Sequence, residues 1–102
     1  MNNEEKALSL LGLAYRGRNL TSGEDQVLDA IRSGKAKLVI VAKDASDGTR
    51  KLFNDKCTYY GVDIKIWGTK AGIGHAIGKE TRASIAVTES GFAGKLVTLM
   101  EK

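Results

Sequence analysis

The chain has 102 residues, and its 16 Lys and Arg against 12 Asp and Glu leave a net charge of +4. A composition of 42% hydrophobic and 27% charged residues excludes a disordered segment and suits one small globular domain spanning residues 1–102. The longest apolar runs, such as 38–42, are far shorter than the roughly 20 residues of a membrane span, and one Cys with one His provides for neither an internal disulfide nor a structural zinc site. Glu4 and Glu5 stand where a signal peptide carries basic residues. The expectation is a cytoplasmic monomer with no membrane partner, metal or cofactor.

Residues 4–15 place Ala7, Leu8, Leu11, Ala14 and Tyr15 on one helical face, with Gly17 at the position of a C-terminal cap. Residues 18–21 then form a minimal strand. Ser22-x-x-Asp25 resembles a capping box ahead of the apolar face Val27, Leu28 and Ile31, which predicts a second helix to about Ser33, ended by Gly34. The run Lys-Leu-Val-Ile-Val-Ala at 37–42 is rich in β-branched residues and too short for a helix; it predicts a central strand covered on both faces. Asp47-Gly48 opens a third helix with Leu52, Phe53, Cys57 and Tyr60 on one side and Gly61 closing it. Residues 62–67 set Val62, Ile64 and Ile66 against Asp63, Lys65 and Trp67, a period of two that predicts a strand with one more exposed face and Trp67 near the surface. A short glycine-bearing helix at 69–77 ends at Gly78, 83–88 is a fourth strand, and 89–100 is a last helix with Phe92, Ala93, Leu96 and Met100 inward. The order αβαβαβαβα predicts an α/β fold, a three-layer α/β/α sandwich around a small four-stranded mixed sheet.

A pI of about 9.3 makes nucleic acid the first candidate partner, since Lys and Arg displace counterions from a phosphate backbone. Ser22-Gly23-Glu24-Asp25-Gln26 opens the second helix, where backbone N–H groups suit a phosphate or a base edge. The plainer reading is that Ser22 caps the helix and the acids complement its dipole, and Glu24 and Asp25 would repel a phosphate. Asp44 follows the central strand, where open α/β sheets place their sites, but a phosphoacceptor there needs acidic partners for Mg²⁺, and 18–21 has none. Gly72-Ile-Gly74-His-Ala-Ile-Gly78 has Ile77 where a dinucleotide loop needs its third glycine. Cys57 reads as a small buried apolar group and His75 has no nucleophile placed beside it, so a non-enzymatic protein is expected.

Taken together, Gly23 opening the second helix, the phrase from Ser33 to Asp44 (Ser-Gly-Lys-Ala-Lys-Leu-Val-Ile-Val-Ala-Lys-Asp), Cys57, and Ile73-Gly-His-Ala-Ile-Gly78 resemble the kink-turn RNA-binding family. That family comprises archaeal and eukaryotic large-subunit ribosomal proteins and box C/D small nucleolar RNP proteins. The ending Gly91-Phe92-Ala93-Gly94-Lys95-Leu96 is similar to the short bacterial YlxQ-type ribosomal-protein-like members. The resemblance covers nearly the whole chain and implies recognition of a kink-turn in ribosomal or riboswitch RNA. In the family a Gly-x-Asn-Glu-x-x-Lys motif reads tandem sheared G·A pairs. Here Gly23 is kept, Asp25 stands for Asn, Gln26 for Glu and Asp29 for Lys. Asp29 therefore puts an anion where the family has a backbone-contacting cation. The family's second contact loop is apolar, whereas here it is Lys79-Glu80-Thr81-Arg82.

The resemblance implies an RNA-binding site of Arg18, Ser22, Gly23, Glu24, Asp25, Gln26, Lys43, Asp44, Lys79, Thr81 and Arg82. It places Lys43 and Asp44 between the two loops, Lys43, Lys79, Arg82 and Arg18 on the backbone, and Asp25 and Gln26 on base edges. The three motif departures leave a competing reading, a ribosome-associated protein-interaction module that has lost specific RNA recognition.

Overall fold

The computed structural model describes residues 1–101. Its centre is the apolar run read from the sequence: Leu38–Val41 forms strand β2, and every residue of it is buried. The full order is α1 (Asn3–Arg16), β1 (Leu20–Ser22), α2 (Glu24–Arg32), β2, α3 (Asp47–Tyr60), β3 (Asp63–Ile66), α4 (Lys70–Ala76), β4 (Ser84–Val87) and α5 (Ser90–Met100). The sheet runs β1-β4-β2-β3, with β2 parallel to β3 and β4 antiparallel to both β2 and β1. Helix α1 packs on α4 and α5, and α2 packs on α3, which gives the three layers expected. Both inner strands are sealed: β4 is buried throughout, as β2 is. Phe53, Leu11, Ile31, Ile73 and Leu96 fill the space between sheet and helices, each full burial contributing about 1.5–3 kcal/mol.

Helix boundaries follow local chemistry. Asn2 and Glu5 form a reciprocal capping box on α1, Ser46 caps α3, Thr69 caps α4 and Glu89 caps α5. Gly61 ends α3 in the left-handed region at φ 70°, where a side chain would be strained.

The alternation read at 62–67 is not what the structure shows. β3 is an edge strand bonded only to β2, and its exposure does not alternate: Asp63 and Ile66 are exposed while Ile64 and Lys65 are half-buried. The Lys65 stem lies along the protein and its ammonium approaches Glu101 at 3.8 Å. Trp67 is half-buried and packs on the core, and its backbone N–H donates to the Val41 carbonyl at 2.9 Å. Tyr60 also departs from the inward face expected of it; it ends α3 43% exposed, edge to face with Tyr59 at 4.9 Å between ring centres.

Because β1, β2 and β3 run the same way and β4 runs opposite, the ends of the first three strands meet the start of the fourth. Ser22–Gly23, Lys43–Asp44, Gly68–Lys70 and Thr81–Arg82 are thereby brought to one end of the sheet.

Candidate nucleic-acid interface

Helix α2 begins unlike the other helices. Its N-cap is Gly23, at φ 96° and ψ 151°, and no side chain caps it, whereas α1, α3, α4 and α5 each have a capping side chain. The Gly23 N–H donates to the Ser84 carbonyl at 3.1 Å, joining the helix start to β4, and its carbonyl accepts from Val27 at 2.9 Å. The N–H groups of the first turn, at Glu24, Asp25 and Gln26, face the open end of the sheet without a side-chain acceptor. The side chains of these three residues are exposed.

The capping box read at Ser22 is therefore not formed. Ser22 is the last residue of β1, paired with Ile85, so its backbone belongs to the sheet and the cap falls one residue later. Its hydroxyl instead accepts from Arg82 Nε at 3.1 Å. Arg82 also donates through Nη1 to the Thr81 carbonyl at 2.7 Å, and its backbone N–H reaches the Lys70 carbonyl at 3.0 Å. A half-buried guanidinium is thus fixed beside the uncapped helix start, and this contact between residues 22 and 82 joins the two regions that the resemblance selected.

The rest of the loop rests on α4. A Cβ added to Gly74 would lie 2.7 Å from the Thr81 Cα and 2.8 Å from the Glu80 carbonyl oxygen, so only glycine permits the loop to lie this close. Within the glycine-rich phrase at 72–78, Gly74 therefore serves packing. Lys79 begins the loop on its α1 side: its backbone N–H donates to the Gly74 carbonyl at 2.8 Å, and its ammonium lies 5.8 Å from the centre of the Tyr15 ring on α1, a cation–π distance. Thr81 is exposed beside Arg82.

Lys43 and Asp44 are not between the two loops, which corrects the expectation. In the order β1-β4-β2-β3, the start of β4 already adjoins β1, and the end of β2 lies on its other side. The Lys43 N–H donates to Gly68 and its carbonyl accepts from Arg50, each at 2.8 Å, while Asp44 Oδ1 accepts the Lys70 N–H at 2.8 Å. Asp44 thus ties the β2 end to the start of α4. Both side chains are exposed on the flank of the site. Among the described residues, no three His, Cys, Asp or Glu side chains come together in a way that could hold a metal ion.

Arg18 lies before β1, and there a surface groove of about 360 Å³ runs beside α2. It is lined by Arg18, Thr21, Gln26, Asp29, Ser33 and Lys35, among others, so the groove begins at the first turn of α2 and leads along the helix. Sequence reasoning passed over Lys35; the signal available was its place directly after Ser33-Gly34, the predicted end of α2. Cys57 is buried, and burial pushes its thiol up to about 11, so it is protonated and inert at neutral pH. The carboxyl of Glu89 is held below the ordinary carboxylate range chiefly by the hydrogen bond from the Phe92 N–H, with Gly91 and Lys95 adding to it.

The chain is a small α/β/α sandwich with a buried thiol and with exposed polar side chains, among others, at one end of its sheet. Residues 5–97 match the model of the ribosomal protein L7Ae/L30e/S12e/Gadd45 family, and the chain belongs to that family. It is 50% identical over 92 residues to the RNA-binding protein YlxQ of Bacillus subtilis (strain 168), covering 90% of this chain and 92% of that protein. It is 41% identical to the RNA-binding protein YlxQ of Enterococcus faecium, covering 97% and 95%. A solved structure of a Bacillus halodurans protein of unknown function superposes with a TM-score of 0.91 at 44% identity, covering 95% of this chain and 98% of that one.

Proposed function

We propose that the chain binds RNA at the start of α2 and at the Lys79–Arg82 loop, and that its preferred target is a kink-turn in ribosomal or riboswitch RNA. The observation that carries this reading is the uncapped first turn of α2 held against Arg82 by the Ser22 hydroxyl, in a chain whose relatives are named as RNA-binding proteins. The acidic first turn decides which part of the RNA meets it. Glu24 and Asp25 repel phosphate, but their carboxylates accept strongly from N–H groups on base edges, and the Gln26 amide both donates and accepts. A regular A-form stem hides its base edges in a narrow groove, whereas a kinked, non-canonical segment opens them. Gly23 allows those edges to approach the backbone. Arg82 and Lys79, with Lys43 on the flank, contact phosphates and set the register, and Thr81 adds a hydroxyl.

The test is a titration of a kink-turn RNA and a matched straight duplex at about 0.15 M salt, where bulk charge effects are substantially screened. A clear preference for the kink-turn is expected, and Gln26→Ala and Lys79→Ala each lower the affinity several-fold. Equal weak binding to both RNAs leaves only the +4 charge at work and overturns the reading, and unchanged binding by both variants removes the site assignment.

A further inference from the structure

The groove beside α2 carries a second step. The family's cation at the fourth motif position is Asp29 here, and Asp29 lies in a groove that also contains two cations from other parts of the chain, Arg18 and Lys35. Gln26 belongs both to the first turn of α2 and to this groove, so an RNA seated on the helix start has the groove beside it.

Arg18 is held in a conformation its side chain does not favour. At φ 63° it is the one non-glycine residue with positive φ among the described residues; Gly23, Gly34, Gly61, Gly68 and Gly78 occupy the others. A glycine would meet the same turn with less strain, so the turn alone does not call for an arginine. The guanidinium is exposed and makes no ion pair among the described residues, unlike Arg50 or Lys51. Its backbone is nevertheless fixed, the Arg18 N–H donating to the Tyr15 carbonyl at 3.0 Å. Lys35 is placed in the same manner: it follows Gly34 at φ 79°, its N–H donates to the Ala30 carbonyl at 3.0 Å, and its exposed ammonium makes no ion pair among the described residues.

We propose that Arg18 and Lys35 bind a backbone phosphate of the RNA stem that leaves the start of α2, supplying across the groove the cations that position 29 lacks. This rests on the function proposed above; it adds Lys35 to the footprint and gives Arg18, already expected on the backbone, its partner and place there. Two cations against Asp29 leave the groove positive, and the Thr21 hydroxyl on its wall is a donor for a phosphate oxygen. The inferred contact reads no base, so it contributes affinity and register and leaves the choice of RNA to the start of α2.

The experiment titrates kink-turn RNA and a straight duplex from 50 to 200 mM KCl with the parent chain, Arg18→Gly, Lys35→Gln, the double variant, Gln26→Ala and Lys95→Gln. Lys95→Gln removes the same charge from α5, on the other face of the sheet. Each groove variant is expected to lower kink-turn affinity several-fold at 150 mM, and the double variant to make the dependence of log Kd on log salt shallower by about 0.9, with the preference for the kink-turn retained. Arg18→Gly relieves the left-handed residue and keeps its melting temperature, so its loss of affinity is not a loss of fold. A double variant with the parent's salt slope, or a Lys95→Gln effect as large as Lys35→Gln, overturns the phosphate contact while the kink-turn preference stands. A parent chain without that preference overturns the proposed function and this contact together, and loss of preference in Gln26→Ala at an unchanged slope supports both.

Discussion

Gly74 is the residue on which the α4–β4 loop depends, and replacing it with alanine tests that dependence. The new Cβ would stand 2.7 Å from Thr81 Cα and 2.8 Å from both the Thr81 nitrogen and the Glu80 carbonyl oxygen. All three are backbone atoms. Reaching an ordinary contact of 3.4 Å requires a retreat of about 0.7 Å (3.4 − 2.7) by a loop whose next residue is bonded to Ser22 and Lys70. Overpacking of this kind costs about 1–3 kcal/mol, and the better helix propensity of alanine returns about 1 kcal/mol. A net loss of about 1 kcal/mol follows, equivalent to a fall of about 4–8 °C in Tm for a domain of this size. Gly94 is the control. It lies in α5 with nothing within 4 Å of an added Cβ, so Gly94→Ala gains about 0.5–1 kcal/mol from propensity alone. Urea unfolding followed by the fluorescence of Trp67, the single tryptophan, measures both. Kink-turn affinity in the folded Gly74→Ala protein falls as well, because Arg82 moves with the loop. A Gly74→Ala protein stabilised as much as Gly94→Ala would refute the close approach and the reasoning built on it.

Three further outcomes follow from the same geometry. Asp29→Lys restores a cation at the motif position and tightens kink-turn binding in a titration; a weaker complex would give Asp29 a role of its own. Cys57, with its thiol raised to about 11 by burial, resists alkylation at pH 8 in the native protein and reacts once urea unfolds it; labelling of the native chain at the rate of a free thiol would show that the site opens. The carboxyl of Glu89 is lowered chiefly by its bond from Phe92, so its stabilising cap on α5 is complete above the ordinary carboxylate range and is lost as the pH falls through the lowered value. The difference in urea midpoint between the parent and Glu89→Ala therefore narrows in acid, and a difference independent of pH would remove the charge from the argument.

What the sequence disclosed and what it hid differ in physical kind. The strand at 38–41 and the helix closed by Gly61 were readable because burial on both faces and left-handed termination leave direct marks on residue type. The edge strand β3 misled because a period of two assumes one buried and one open face, and an edge position breaks that assumption. Ser22 misled for a related reason. Its spacing to Asp25 fits a cap, but pairing with Ile85 claims its backbone for the sheet, a contact 63 residues away that no local pattern records (85 − 22 = 63). The lateral order of the strands is equally non-local, which is why Lys43 and Asp44 were set between two loops that in fact adjoin directly through Ser22 and Arg82.

The same distinction bears on how this chain would hold RNA. The aligned motif residues Asp25, Gln26 and Asp29 carry no positive charge, so whatever they contribute to binding cannot come from counterion release and should vary little with salt. The cations around them come from elsewhere in the sequence, Arg82 before β4 and Arg18 and Lys35 along the groove, and folding alone brings them to α2. In the proposed mode of binding, electrostatic attraction and base reading thus fall to different segments of the chain. Substitutions in the first turn of α2 should then change the preference for a kinked RNA at a constant salt slope, while substitutions at Arg18, Lys35 or Arg82 should change the slope more than the preference.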